Sequence, residues 1–434
     1  MKNLKHKILG FALLLSMVVF AQQTPAPKQK KDIAIFGATA HIGDGTVIEN
    51  SCLIIKDGKI ATIASAEQVK FNVKGMDIIT ATGQHIYPGF IAPNSTLGLV
   101  EVDAVRASND ADEVGAMNPH IRSLIAYNTE SKIVESMRPN GVLMGQITPR
   151  GGRLSGTSSI VQFDAWNWED AVIKEDDGIH MNWPRAFTRG RWWLGEPSNL
   201  KVNKEYSKQV DNVTAYFNES KAYQAGDKSP KHLPFEALQG LFDGSKKLYV
   251  HVNSEKGITD AITFVKENGV QHMVIVGGYE AYKVANLLKH HNVPLLLQRV
   301  HSEPNSDDDD YDLPFKQAKQ LVDLGILVGL ENAGGMERMN ARNLPFLAGT
   351  CAAYGLDKEQ ALSLITLNTA KILGIENQVG SLEVGKDATL FISEGDALDM
   401  RTNKLTKAFI QGRDISLESH QTELYKRYSN KYKQ

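Results

Sequence analysis

The chain has 434 residues, 42% of them hydrophobic and 23% charged, with a formal charge of −2 at pH 7. That is ordinary globular composition, and it excludes intrinsic disorder, collagen and a coiled coil. Its two cysteines, Cys52 and Cys351, lie far apart and neither has zinc-finger spacing, so a disulfide scaffold and a structural zinc site are excluded too. Nothing in the charge balance suggests a nucleic-acid surface.

Residues 1–21 read as a secretory signal peptide. Lys2, Lys5 and Lys7 make a basic start, Ile8 to Phe20 an apolar run, and Val19-Phe20-Ala21 a small-residue cleavage site. The run is too short to cross a hydrocarbon core of about 30 Å, so no membrane span is expected and the product is read as secreted or periplasmic. Removing this segment takes the formal charge from −2 to −5. Gln22 to Lys31 is polar with two prolines and reads as a leader.

Residues 32–87 alternate short strand patterns with turn signals such as Gly43-Asp44-Gly45 and Asp57-Gly58, which predicts the first part of a small β-domain. Residues 376–415 have the same texture and supply its second part. Residues 88–375 differ. Apolar strand-like runs (Val142 to Ile147, Ser159 to Phe163, Leu248 to Val252, Met273 to Val276, Val293 to Leu297, Ile326 to Leu330) alternate with helical patterns (Gly257 to Asn268, Glu280 to His290, Leu313 to Leu324, Lys358 to Leu373). This predicts an α/β fold, a (β/α)8 TIM-type barrel inserted into a composite β-sandwich domain. An open doubly wound sheet lacks its G-x-G-x-x-G or P-loop fingerprint here. Residues 416–434 read as a C-terminal helix or tail.

Tyr87-Pro88-Gly89-Phe90-Ile91 entering the first barrel strand, and Ala361 to Leu373 followed by Gly380-Ser381-Leu382-Glu383-Val384-Gly385-Lys386-Asp387-Ala388, resemble the amidohydrolase superfamily, especially its imidazolonepropionase-like branch. The resemblance implies a hydrolase of carbon-nitrogen bonds other than peptide bonds, in cyclic-amide-like substrates. It also implies one or two divalent metals at the C-terminal mouth of the barrel, which make hydroxide from water and polarise a carbonyl. The family pattern places a His-x-His pair after strand 1, a Lys or Glu on strand 4, one His each on strands 5 and 6, and an Asp on strand 8.

Set against that pattern, this chain has Asn94-Ser95-Thr96 where the paired imidazoles should stand. Neutral oxygen ligands bind zinc far more weakly than imidazole nitrogen. Strand 5 keeps His251. Strand 6 reads Val276-Gly277-Gly278-Tyr279 without an imidazole. At strand 8 either Glu331 or Asn332 matches the Asp, since a slip of one residue reverses the face. The strand-4 region offers His180 and no Lys. A rebuilt site with a single zinc would therefore take His251, His180 and Glu331, with His251 and Glu331 catalytic; the other reading makes His251 a partly buried barrel residue and the protein free of metal. On that second reading the chain is an inactive pseudoenzyme that binds a ligand or pairs with an active paralogue. A small-molecule substrate or ligand is expected either way, and relatives commonly pair, which makes a homodimer the simplest assembly.

Arg150 and Arg153 lie in a glycine-rich segment, Thr148 to Ser159, that could orient an anionic ligand together with Asn94 and Asn332, or form a solvated turn. Trp166, Trp168, Trp183, Trp192 and Trp193 crowd one window and would line the mouth or fill a core. The insertion between Val100 and Pro139 reads as a lid or a dimer contact. Asp307 to Asp310 and Asp312 read as a solvated acidic turn, because they lack EF-hand spacing.

Overall fold

The computed structural model describes residues 24–68, 72–190, 194–197 and 199–433. The signal peptide reading and Trp192 and Trp193 fall outside these residues.

Strands β1 (Ile33–His41), β2 (Val47–Lys56), β3 (Lys59–Ser65), β4 (Asp77–Thr80) and β5 (His85–Pro88) open the chain. The middle supplies β6 (Phe90–Ser95), β7 (Val142–Ile147), β8 (Leu154–Gln162), β9 (Val172–Asn182), a hairpin of β10 (Phe187–Arg189) and β11 (Leu200–Val202), then β12 (Lys247–Val252), β13 (Met273–Gly277), β14 (Leu295–Leu297) and β15 (Val328–Leu330). The chain returns with β16 (Leu390–Ser393), β17 (Leu405–Ile410) and β18 (Arg413–Ile415).

Both ends of the chain share one sheet, in the order β18-β17-β16-β5-β1-β2-β3, with β4 also paired to β1. One strand serves two partners because β1 is bent at Gly37. Before the bend it runs parallel with β4, and after it with β5. Gly37 has φ +85°, and a Cβ there would stand 2.6 Å from the Thr82 hydroxyl, so only glycine fits. Ile35, Leu53, Ile86, Leu390 and Phe409 form the core of this sheet.

The second sheet has the order β15-β14-β13-β12-β9-β8-β7-β6. Seven of its strands run the same way; β8 is antiparallel to both neighbours. This corrects the expectation of eight parallel βα units. The reason lies in connection length: residues 148–153 join β7 to β8, and a parallel crossover needs a dozen or more. The insertion Val100–Pro139 lies along the start of β8, with isolated bridges from Asp112 to Arg150, Met117 to Leu154 and Arg122 to Thr157. These bridges tie it to the barrel instead of leaving it a free lid.

Helices Tyr206–Ala225, Leu233–Asp243, Glu255–Glu267, Ala285–His290 and Leu313–Asp323 accompany the later strands. The pattern read as one helix over Lys358 to Leu373 breaks into Lys358–Ser363 and Leu367–Leu373. The break has a structural use. The carbonyl of Leu364 accepts from Leu330 N–H at 3.1 Å and that of Ile365 from Ile91 N–H at 3.0 Å, so this turn bridges β15 and β6 and the sheet nearly closes on itself. No helix among the described residues is long and apolar enough to cross a membrane. The terminal helix His420–Tyr432 is capped by Ser419 and Thr422 and buries none of its residues.

Candidate active site

The C-terminal ends of the parallel strands and the start of the reversed β8 meet at one end of the near-closed sheet. Asn94, Ser95 and Thr96 leave β6 there, Thr148 to Arg153 connect β7 to β8, Asn182 ends β9, His251 lies near the end of β12, and Glu331 follows β15.

A fixed ion pair occupies the centre. Arg150 donates through Nη1 to the Asn94 side-chain oxygen at 2.8 Å, and through Nη2 to the Asn94 carbonyl at 2.8 Å and to Glu337 Oε2 at 3.0 Å. The other oxygen of Glu337 accepts from Thr96 N–H at 2.6 Å and from its hydroxyl at 3.1 Å. Glu337 and Asn94 are buried, whereas the Arg150 side chain keeps 27% of its surface open. The insertion sets this geometry: Ala111 and Ala116 carbonyls accept the backbone N–H groups of Arg150 and Arg153. The N–H groups of Arg150 and Arg153 are thereby used within the chain. Its Arg153 side chain donates to the Asn182 carbonyl, and burial lowers its pKa.

Asn94 also donates to Glu331 Oε2 at 3.2 Å, and Ala333 N–H donates to the same oxygen at 2.5 Å. This settles the register: Glu331 faces the mouth, while Asn332 turns to the Glu337 backbone carbonyl at 3.5 Å. Burial raises the Glu331 carboxyl to about 7; Ala333 N–H, Arg150 and Asn94 oppose the rise and Glu337 adds to it.

The histidines form a second chain of bonds, joined to the Arg150 cluster by Gln146, whose side-chain oxygen accepts from Asn94 N–H at 3.0 Å. His180 Nδ1 and His251 Nε2 are 2.9 Å apart, and His180 Nε2 is 2.9 Å from the Ser158 hydroxyl. Ser158 donates to Asp177 Oδ1 at 2.7 Å, and Tyr249 and Gln146 donate to Oδ2 at 2.7 and 3.0 Å. Since Ser158 gives its proton to Asp177, it accepts from His180 Nε2–H; His180 Nδ1 is then bare and accepts from His251 Nε2–H. Burial keeps both imidazoles neutral by lowering their pKa values, reinforced at His180 by His251 and at both by the Arg150 charge. Burial likewise raises the Asp177 carboxyl.

These bonds decide whether a metal fits. Both nitrogens of His180 are engaged, so the set His180, His251 and Glu331 is not formed, and among the described residues no three His, Cys, Asp or Glu side chains are placed to hold an ion. A catalytic zinc needs three such donors. The donor set therefore does not fit the metal that the family resemblance implies.

Other expectations resolve similarly. Trp183 is buried and donates to the Tyr206 hydroxyl at 3.1 Å. Trp166 and Trp168 lie on the β8–β9 connection, which the reversal of β8 carries to the end opposite the mouth, and Trp166 is exposed. The acidic turn is ordered by Tyr279, which donates to Asp309 at 2.6 Å, and by Lys316, which pairs with Asp310 and Asp312. Glu337 was not among the expected site residues. No periodic signal marks it; the only hint is Gly334-Gly335 just before it, a flexible pair that lets the chain fold back to the mouth.

The amidohydrolase family profile matches residues 191–415, more than half of the chain, and the chain belongs to the amidohydrolase family. Within it, the chain falls on the imidazolonepropionase-like branch. It is 20% identical to an imidazolonepropionase of Flavobacterium johnsoniae over 399 residues, covering 82% of this chain and 88% of that relative. It is 35% identical to an amidohydrolase of Hapsidospora irregularis over 369 residues, 75% of this chain but only 36% of that longer protein. Among solved structures, an amidohydrolase from Thermotoga maritima superposes with a TM-score of 0.76 at 23% identity, covering 88% of this chain and 99% of that one.

Proposed function

We propose that this chain is an exported hydrolase that opens a carbon-nitrogen bond in a small, cyclic-amide-like substrate, with Glu331 as its proton-transfer group. The near-closed sheet then serves as the family's (β/α)8-type barrel, carried by the composite β-domain. One observation carries the reading: the mouth of a family fold holds a buried carboxyl, anchored by Asn94 and Ala333, whose pKa of about 7 suits proton transfer near neutrality. Export rests on the signal-peptide reading of residues 1–21, and assembly as a homodimer on the habit of relatives.

The reaction balances with groups present in the chain. Glu331 as carboxylate takes a proton from water while the water oxygen bonds to the carbonyl carbon, and the π pair moves onto the carbonyl oxygen. As the C–N bond breaks, its electron pair stays on nitrogen, which takes the proton back from Glu331. The oxyanion's pair re-forms the carbonyl as that bond breaks, and ring opening leaves one product bearing a carboxylic acid and the freed N–H group, an amine from a lactam, an amide from an imide or a urea from a hydantoin.

A panel of hydantoins, cyclic imides and lactams incubated with the full chain tests this. Turnover of at least one, abolished in Glu331→Gln, supports it; no turnover of any supports a second reading, a ligand-binding pseudoenzyme that pairs with an active paralogue. That reading draws on Asn94 and Thr96 standing where the family pattern has imidazoles.

A further inference from the structure

The two positions at which the family pattern has metal-binding imidazoles are not idle. Asn94 gives both its side-chain oxygen and its backbone carbonyl to Arg150, and Thr96 gives its backbone N–H and its hydroxyl to Glu337, the counter-ion of Arg150. Around this guanidinium stand Glu331, tied to it through Asn94, and the two neutral histidines within reach of its field. A guanidinium stays protonated in any protein environment, so the mouth carries a permanent cation. A divalent ion placed beside it would meet like-charge repulsion, and two of its natural donors, Asn94 and Glu337, are already committed.

The partly exposed side chains at the mouth include Arg150, Arg153, Asn182 and His251, beside the buried Asn94, Glu331, Glu337 and His180; Arg338, also partly exposed, donates to the Thr96 hydroxyl at 3.1 Å. Arg153 is held by the Asn182 carbonyl. Arg150 uses three of its five donor positions on Asn94 and Glu337, and its side chain stays partly open to solvent.

We propose that Arg150 takes the place of the metal: its guanidinium, fixed by Asn94 and Glu337, is the cation that receives the amide carbonyl oxygen and the negative charge that develops on it. This rests on the hydrolase reading above and deepens it by making the reaction metal-independent. Glu337 and Asn94 are positioning residues; Arg150 is the group that touches substrate. The electrostatic role matches that of an oxyanion hole, whose donors act because they are in place before charge develops.

Two arms test it on the full chain. In the first, protein dialysed against zinc and then against buffer is analysed for metal. The expected result is no stoichiometric zinc in the wild type; one zinc per chain that disappears in His251→Ala overturns the proposal while leaving the C–N hydrolase reading intact. In the second, turnover of any substrate found in the panel is followed after exhaustive chelation. It should persist unchanged in the wild type and fall about 10²–10³-fold in kcat in Arg150→Ala. Guanidinium ion added to Arg150→Ala should restore part of that loss and raise the unfolding midpoint of the variant alone, with ammonium doing neither. Chelation that abolishes wild-type turnover, or the absence of guanidinium rescue in both turnover and midpoint, overturns the proposal. If Arg150→Ala fails to fold, Arg150→Lys, which keeps the charge without the planar fork, replaces it and should lose kcat with little change in KM. Absence of turnover in every form sinks the hydrolase reading, and the metal and midpoint measurements still judge the cation position.

Discussion

Two arginine-carboxylate clusters among the described residues are built differently. Where the composite sheet meets the barrel, Arg413 donates to Asp164 Oδ2 and to the Gln162 side chain, both at 2.6 Å, and to the Asp164 carbonyl at 2.7 Å; Arg138 lies 3.5 Å from the other Asp164 oxygen and donates to the Phe163 carbonyl at 2.6 Å. Ala26 N–H completes the set at 3.0 Å. One carboxylate thus sits between two guanidiniums, with Asp164 only 2% exposed. At the mouth the ratio is inverted. One guanidinium serves two carboxyls, it keeps an open face, and Glu331 is left with a strongly raised pKa. A cluster whose carboxylate is fully engaged holds the fold together; one that leaves a carboxyl with a raised pKa stores chemistry instead.

Substitutions should pull this contrast apart. Asp164→Ala leaves two buried guanidiniums without their shared carboxylate and should cost about 3–5 kcal/mol in denaturant unfolding. Arg150→Met should lose less stability, since its guanidinium is partly open, and most of that should return in Arg150→Met/Glu337→Gln, while turnover stays low in both. If the double variant recovers turnover, the two clusters are alike and both structural.

Glu331→Gln comes next. The folded carboxyl has its pKa raised from 4.5 to about 7, so the folded state binds more protons than the unfolded one between those values. Stability therefore falls as pH rises from about 4.5 to 7, by about 3 kcal/mol in all. The Gln variant lacks this loss, so its stability relative to wild type should rise across that window and level off above it. Unfolding midpoints at pH 4 and pH 8 measure the difference; an equal gap at both would show that Glu331 is not held protonated. In turnover, the wild-type rate should climb through pH 7 as the base ionises.

The smallest effect is expected at Ser158→Ala. It removes one of three donors to Asp177 and the acceptor of His180, costing about 1–3 kcal/mol. This chain of bonds reaches the mouth through His251 and, by way of Gln146, through Asn94 N–H, but it leaves the Arg150 cation in place, so turnover should change less than in Arg150→Met. A larger loss there would make the histidine chain part of the reacting machinery.

Much of the scaffold was legible in the sequence because apolar period and punctuation are local. Val142 to Ile147 and Met273 to Val276 form strands where they were expected, and Gly257 to Asn268 overlies a helix. The closing Gly380-to-Ala388 motif marked the family. The site was legible residue by residue but not as an arrangement. Glu331 and Arg150 were visible; that Asn94 would join them across the barrel depends on the path of the insertion, which no local pattern encodes. The contact between His180 and His251 requires the register that sets His180 beside Tyr249 on β12. The reversal of β8 could have been read from the six residues before it, since so short a link cannot carry a crossover.

The turn at Leu364 and Ile365 has one more consequence. Since two carbonyls between short helices, and no strand pairing, join β15 to β6, the cylinder is a bracelet with a clasp and not a welded ring. Opening that clasp would free the amides of Ile91 and Leu330 in a single event, and it would slacken the stretch from β6 to Asn94 and from β15 to Glu331 together.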